Sequence, residues 1–193
     1  MIFTQLGIQG AWVVESAIWP DERGFFLEWF KKEKLSTETG FSFSVQQANF
    51  SLSNQGVIRG IHYSLAPEGQ AKWVTCVSGG IIDVVVDLRI DSPTFKQVEY
   101  IKLNAGDGKA VFISPGLGHG FYSCMDNSGV AYLLDSAYAP EHEFAILPTD
   151  PELGIKWGGD TNPHPRILAS SKDSSAPTLN IQLELGKLPR LRT

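Results

Sequence analysis

Short segments that alternate apolar and polar residues make up most of this chain. The clearest, IIDVVVDL (81–88), has two distinct faces: one carries Ile82, Val84, Val86 and Leu88, and the other carries Ile81, Asp83, Val85 and Asp87. A period of two over β-branched residues predicts a strand. KWVTCV (72–77) precedes it across Gly79-Gly80, so we expect the two strands to form a tight hairpin.

The same pattern recurs with turn residues between segments, roughly every 8–12 residues, as in sandwiches and barrels. Strand-like segments include FSVQQANFSLS (43–53), SPTFKQVEYIKL (92–103) and GVAYLLDSAYAPEHEF (129–144). In KAVFISPGLGHGFYSC (109–124), residues 115–120 are predicted to break the strand and present His119. Helix is predicted only for KKEKLSTETG, ending at Gly40, and near 178–185. These patterns predict an all-β jelly-roll barrel with short peripheral helices and a concave mouth.

Composition and charge restrict the class of protein. The chain has 193 residues, 42% hydrophobic and 19% charged, which suits one globular domain over 1–193. Its net charge of −5 argues against nucleic-acid binding, which needs Lys and Arg. MIFTQLGIQG lacks the features of a signal peptide, and no apolar run approaches the ~20 residues of a membrane span. We therefore expect a cytoplasmic protein without a membrane partner.

Four histidines, His62, His119, His142 and His164, are the first candidates for chemistry near neutral pH. Metal-binding cupin barrels usually carry two histidines with one residue between them. Here Ser64 stands at the second of these positions, two residues after His62, which argues against a metal site. No G-x-S-x-G elbow, P-loop or G-x-G-x-x-G segment after a strand is present. On spacing alone, a lone histidine on a strand is more often a hydrogen-bonded core residue than a catalytic base, and a lone lysine is usually solvated.

Six segments carry a resemblance to a known family: ERGFFLEWF, QQANFSLSNQGVIRGIHY, QAKWVTCVSGG, DVVVDLRIDSPTF, YAPEHE and SSKDSSAPTL. Together they resemble the dTDP-4-dehydrorhamnose 3,5-epimerase family of deoxysugar biosynthesis, from about Arg23 to Leu179. The resemblance implies a cupin-like jelly-roll homodimer that acts on dTDP-4-dehydro-6-deoxy-D-glucose with no cofactor and no metal. It also implies an N-terminal arm, about residues 1–30, exchanged with the partner subunit.

The resemblance implies four catalytic residues. The C4 ketone of such a sugar acidifies the protons on C3 and C5, and His62 matches the base that removes one. Asp173 matches the acid that orients its imidazolium, and Lys72 matches the cation near the ketone oxygen, where negative charge develops. Tyr132 matches the acid that returns a proton from the opposite face of the ring.

Substrate-binding residues carry over in the same way. Arg23, Phe26 and Glu28 match the arm that reaches the partner's site. Gln47 and Asn49 match polar pocket residues, and Arg59 and His119 match groups near the diphosphate. Tyr138 matches an aromatic residue that stacks on thymine, while Glu143 and Lys172 match further contacts at the nucleotide end.

Two questions follow from these assignments. Arg59 and His62 are three residues apart and would face opposite sides of a regular strand, so we predict a bulge or twist at Gly60 that brings both to the pocket. Ala48, Phe50, Leu133, Leu134 and Ala137 depart from the residues usual near Tyr132 and Tyr138 in the double epimerases. A 3- or 5-monoepimerase, and a non-catalytic sugar-nucleotide-binding barrel, therefore remain open beside the double epimerase.

Overall fold

The computed structural model describes residues 1–65, 69–159, 162 and 165–191. Along these residues the elements are, in chain order, β1 (Ile2–Gln5), β2 (Ala11–Glu15), β3 (Ile18–Asp21), β4 (Gly24–Leu27), α1 (Lys32–Thr39), β5 (Gln47–Ser53), β6 (Ile58–Ser64), β7 (Lys72–Ser78), β8 (Gly80–Asp87), β9 (Val98–Asn104), β10 (Lys109–Ile113), β11 (Leu117–Ser123), β12 (Ser128–Leu134), β13 (Glu143–Ala145), α2 (Ser171–Ser174) and α3 (Leu179–Glu184).

Most of these strands belong to two antiparallel sheets. The larger sheet has the order β1-β2-β10-β7-β12-β5, and the smaller sheet has the order β13-β6-β11-β8-β9. The β3–β4 hairpin stands apart as a two-stranded ribbon. The prediction of an all-β, cupin-like jelly-roll barrel with short peripheral helices is confirmed.

Both faces of the central strands are covered by apolar side chains. One core layer lies between the sheets and includes Val74, Val85 and Phe121. The outer face of the larger sheet packs against α1 through Trp73 and Leu35. A third layer joins the outer face of the smaller sheet to the C-terminal segment, including residues 153, 157, 179 and 188. The interior between the sheets is therefore the place where polar side chains are unusual and informative.

The tight turn before β8 is present, but the hairpin prediction is wrong. β7 pairs with β10 and β12 in the larger sheet, whereas β8 pairs with β11 and β9 in the smaller one. Gly79 has a φ of +66°, and an added Cβ would lie 2.9 Å from the Ser128 Cα. The turn thus carries the chain across the barrel from one sheet to the other.

The other local predictions have mixed outcomes. α1 ends where expected: Gly40 is left-handed, and its amide donates to the Ser36 carbonyl at 2.9 Å. α3 falls within the predicted segment, while α2 was not predicted. The break predicted at 115–120 is present but shorter: residues 114–116 separate β10 from β11, which begins at Leu117, so His119 lies inside a strand. Along the described parts of the chain, no helix is long and apolar enough to cross a membrane.

Candidate active site

A cavity of about 480 Å³ opens between the two sheets. Its polar lining comes from three directions: Arg59, His62 and His119 from the smaller sheet, Ser51, Lys72 and Tyr132 from the larger sheet, and Ser170, Lys172 and Asp173 from α2 and its N-cap. The sequence thus folds residues that are more than 100 positions apart into one polar site inside an otherwise apolar barrel.

The predicted bulge at Gly60 is confirmed and explains how two residues on β6 reach the cavity. His62 pairs with His119, and Arg59 pairs with Phe121, so three steps on β6 match two on β11. Gly60 has a φ of +133°, and a Cβ there would lie 2.6 Å from the Gly120 Cα. Only glycine fits this position without displacing the neighbouring strand.

His62 and Asp173 form a hydrogen-bonded pair at the cavity wall. Nε2 of His62 lies 2.7 Å from Oδ1 of Asp173, whose side chain is 7% exposed. Burial alone would raise the pKa of Asp173, but hydrogen bonds from His62 and Ser170 and the charge of His62 outweigh it and lower that pKa. The carboxylate is therefore ionised at neutral pH and fixes one ring nitrogen of His62, which leaves Nδ1 as the nitrogen that can exchange a proton.

Lys72 and Tyr132 face this pair from the opposite sheet. The β7–β12 register places Val74 opposite Tyr132 and Lys72 opposite Leu134, so Lys72 and Tyr132 share the inner face. Burial lowers the pKa of Lys72, and the negative charges of Glu143 and Asp83 oppose that effect. A cation and a phenol thus stand on the wall across from the His62–Asp173 pair.

Arg59 and His119 add positive or hydrogen-bonding groups on the smaller sheet. Arg59 donates from Nε to the Ser53 hydroxyl at 3.1 Å and from Nη2 to the Leu52 carbonyl at 3.2 Å. Nε2 of His119 lies 2.8 Å from Oδ2 of Asp83. Arg59 and Lys172 form a cationic cluster in the cavity lining that suits an anionic ligand, and His119 adds a ring nitrogen that can form a hydrogen bond.

Four of the expected binding residues border the cavity rather than line it. Gln47 and Asn49 share the inner face of β5 with Ser51, and their side chains are hydrogen-bonded at 2.9 Å. The Tyr138 amide donates to Oε1 of Gln47 at 3.0 Å. Glu143 lies two residues from Ala145, which pairs with His62.

The arm residues do not enter the cavity of their own chain. Arg23 is exposed and forms an ion pair with Asp21 in the β3–β4 hairpin, and Phe26 is 65% exposed. Glu28 follows that hairpin and lies 4.0 Å from the Lys31 ammonium. The structure therefore assembles the four catalytic candidates but leaves these three residues outside.

Sequence reasoning missed two polar groups, one behind the cavity wall and one in it. Asp83 is fully buried on β8, and Ser51 lines the cavity with a hydroxyl that has no hydrogen-bond partner within the described ranges. The signal for Asp83 was available, since it shares a strand face with Ile81 and Val85 in an apolar segment. No group of three or more metal-ligating side chains occurs among the residues that the structure describes. The His142 ring lies 4.0 Å from the Glu141 carboxylate, and His164 lies outside the described residues.

Comparisons with known proteins match almost the whole chain. A family model described as dTDP-4-dehydrorhamnose 3,5-epimerase matches residues 5–180. A dTDP-4-dehydro-6-deoxyglucose 3-epimerase from a Streptomyces species is 45% identical over 184 residues, covering 95% of this chain and 92% of the relative. A dTDP-4-dehydrorhamnose 3,5-epimerase from Mycolicibacterium smegmatis is 42% identical over 189 residues, covering 98% and 91%.

Solved structures agree with these relatives. A 3'-monoepimerase from Streptomyces bikiniensis in complex with dTDP-quinovose has a TM-score of 0.90 and 44% identity, covering 96% of this chain and 91% of that chain. An epimerase from Mycobacterium tuberculosis has a TM-score of 0.93 and 40% identity, covering 98% and 94%. Both the fold and the sequence of this chain are therefore similar to those of dTDP-sugar epimerases.

Proposed function

Because this chain belongs to the dTDP-4-dehydrorhamnose 3,5-epimerase family, we propose that it inverts C3, C5 or both in dTDP-4-dehydro-6-deoxy-D-glucose. The chain would serve as a cofactor-independent isomerase of deoxysugar biosynthesis, and we expect it in the cytoplasm. One observation carries the proposal: the His62–Asp173 pair and the Tyr132 phenol stand on facing walls of one cavity. Inversion needs this arrangement, because the proton must leave one face of the ring and return to the other.

Proton abstraction is the first step that the geometry supports. The C4 ketone makes the neighbouring C–H protons acidic, and His62 accepts one as general base. Asp173, ionised and nearly buried, stabilises the imidazolium that forms and holds the ring in place. Breaking the C–H bond leaves its electron pair in an enolate whose charge develops on the ketone oxygen.

Lys72 and Tyr132 complete the inversion from the larger sheet. The Lys72 ammonium lowers the barrier by stabilising the enolate oxygen in a partly dehydrated site. Tyr132 donates its phenolic proton to the opposite face of the same carbon, and the electron pair of the enolate forms the new C–H bond. His62 then releases its proton to solvent and Tyr132 takes one up from solvent, so both groups return to their starting states and the net reaction is an inversion of configuration.

The cationic cluster suits the diphosphate of the substrate. Arg59 and Lys172 provide charge, and His119 provides a ring nitrogen that is not used by Asp83. We propose that Gln47, Asn49 and Glu143 contact the sugar or the nucleotide from the border of the cavity, and that the exposed ring of Tyr138 stacks on thymine.

A homodimer with exchanged arms explains the residues left outside the cavity. The β3–β4 hairpin exposes the apolar rings of Trp19, Phe25 and Phe26, and the outer face of β5 exposes Phe50 and Leu52. Apolar surfaces of this kind mark subunit contacts. We propose that a second copy covers them and that Arg23, Phe26 and Glu28 of each arm complete the partner's site.

The number of inverted carbons depends on the surroundings of Tyr132. Ala48 and Phe50 lie on the face of β5 opposite Asn49, and Leu133 packs in the outer core layer. Leu134 shares the inner face with Tyr132. Three of the departures from the double epimerases therefore point away from the cavity, and relatives of both kinds are similar to this chain.

Proton NMR of dTDP-4-dehydro-6-deoxy-D-glucose in D₂O with the purified protein tests the function. Loss of both the C3 and C5 signals, with an L-configured product after reduction, establishes double epimerisation. Loss of one signal alone establishes a monoepimerase. Retention of both signals would contradict the proposal and leave a sugar-nucleotide-binding barrel.

A further inference from the structure

A second histidine–aspartate pair lies beside the pair assigned to proton abstraction. His119 and Asp83 are joined at 2.8 Å and are 9% and 0% exposed. The β6–β11 register places His119 directly opposite His62, so the two pairs are neighbours on the inner face of the smaller sheet. His119 lines the cavity, whereas Asp83 does not.

The second oxygen of Asp83 has no local explanation. Oδ1 is buried and has no hydrogen-bond partner in the described parts of the chain. Its neighbours on the same face of β8, Ile81 and Val85, belong to the apolar core. A buried carboxylate with a free oxygen is costly, and an apolar residue would be the cheaper choice at this position. The presence of a carboxylate at this buried position therefore points to a role for its charge.

Lys72 is the group on which that charge acts. It lines the same cavity from the facing sheet, and burial lowers its pKa, which favours the neutral amine. The charges of Glu143 and Asp83 act in the opposite direction. Among the residues that the structure describes, the other charged or titratable groups near Lys72 are Arg59 and His62 on β6, His119 on β11, Tyr132 and Asp135 on or beside β12, and Lys172 and Asp173 on α2.

We propose that Asp83 is a positioning residue of this site: one carboxylate oxygen fixes the His119 imidazole, and the carboxylate charge attracts the Lys72 ammonium on the facing sheet. The inference rests on the proposed function, which places Lys72 at the ketone oxygen and His119 at the diphosphate. Asp83 acts through these two residues and does not touch the substrate.

An NMR titration of the lysine side-chain Cε signals tests the effect on Lys72, with its signal assigned by Lys72→Arg. Asp83→Asn removes the negative charge, so Lys72 loses its proton at a lower pH than in the wild type. At an alkaline pH where the wild type still turns over at its maximal rate, kcat of the variant falls by roughly tenfold. An unchanged titration midpoint would overturn the proposal.

Asp87→Asn is the matched control, because Asp87 lies on the same strand and face but is paired with Arg89 instead of a cavity residue. We expect it to leave the Lys72 titration unchanged. A shift equal to that of Asp83→Asn would assign the effect to general loosening and refute a specific role. The titration does not depend on turnover. If the wild type exchanged no substrate protons, the proposed function would be wrong, but the titration would still decide the role of Asp83.

The orientation of His119 is tested by calorimetric binding of dTDP. Asn at position 83 can still accept from the His119 ring, whereas Asp83→Leu cannot. We expect the Leu variant to bind dTDP roughly tenfold more weakly than the Asn variant. Equal affinities would show that His119 needs no partner.

If Asp83→Asn does not fold, thermal unfolding tests the same coupling between Asp83 and Lys72. An unpaired buried ammonium would cause the failure, so adding Lys72→Met should restore a cooperative thermal transition. Absence of rescue would overturn the link between the two residues.

Discussion

Replacing Asp173 with Asn removes the charge behind His62 while keeping the size and shape of the side chain. Hydrogen bonds to charged groups contribute about 1.5–3 kcal/mol. The His62 side chain is 38% exposed, so solvent screening places this pair at about 1.5–2 kcal/mol. If that interaction stabilises the imidazolium in the transition state, exchange of the C3 proton slows roughly 10- to 30-fold.

The assay follows the C3 signal in D₂O at saturating substrate, so that a change in binding does not enter the rate. Asp150→Asn is the matched control: Asp150 is also a buried aspartate that accepts a backbone hydrogen bond, from Leu179, but it does not line the cavity. We expect this control to lower the melting temperature and to keep the exchange rate.

Two results would refute the reasoning about Asp173. The first is an exchange rate for Asp173→Asn within twofold of the wild type. The second is an equal loss in both aspartate variants, which would trace the effect to stability. The imidazolium of His62 would then have to be stabilised by a group other than Asp173.

Three further predictions concern the backbone, the buried ion pair and the arm. Gly60→Ala is expected to lose more than about 2 kcal/mol of stability from backbone strain and overpacking. Gly24 has a similar φ of +130° but open space around it, so Gly24→Ala should lose only the stability that backbone strain costs. Equal urea midpoints for the two variants would contradict this. Asp87→Asn is expected to cost about 3 kcal/mol at pH 7, because it breaks a buried pair with Arg89. Burial alone would raise the pKa of Asp87, but hydrogen bonds from Arg89, Ser92 and Thr94 lower that pKa. The stabilisation by the ionised carboxylate is therefore present above about pH 4 and is lost as pH falls through the lowered pKa. The difference in urea midpoint between Asp87→Asn and the wild type should shrink towards pH 3, and a constant difference would contradict the charge argument. Mixed dimers of His62→Ala and Glu28→Ala chains should regain about a quarter of wild-type activity if arms are exchanged, because each heterodimer then has one intact site; no recovery would place the arm in its own chain's site.

Local patterns along the chain were sufficient for the fold class, because period-two alternation predicts the strands. The bulge needed more: the family resemblance assigned Arg59 and His62 to one pocket, and their three-residue spacing then required a bulge or twist at Gly60. The β7–β8 hairpin failed because a two-glycine turn signals a reversal of direction but not which strands then pair. Those partners, β10 and β12 or β11 and β9, are set by packing across the barrel.

The glycines around His119 misled in a different way. They were interpreted as a break, yet Gly118 and Gly120 lie within β11, where an added Cβ would come within 2.7 Å of a Leu88 carbon and 2.8 Å of the Arg59 carbonyl oxygen. Glycine here permits close packing and does not end a strand. The apolar face of β8 marked Asp83 as unusual, but its partner His119 is 36 positions away, and nothing in the local pattern joins the two.

The measurement that tests the account most directly compares exchange with inversion in two variants. In D₂O, Tyr132→Phe should still exchange the substrate proton through His62 while returning deuterium to the original face, and His62→Ala should exchange none. Exchange at the wild-type rate in His62→Ala, or full inversion in Tyr132→Phe, would contradict the claim that these two residues act from opposite walls of the cavity.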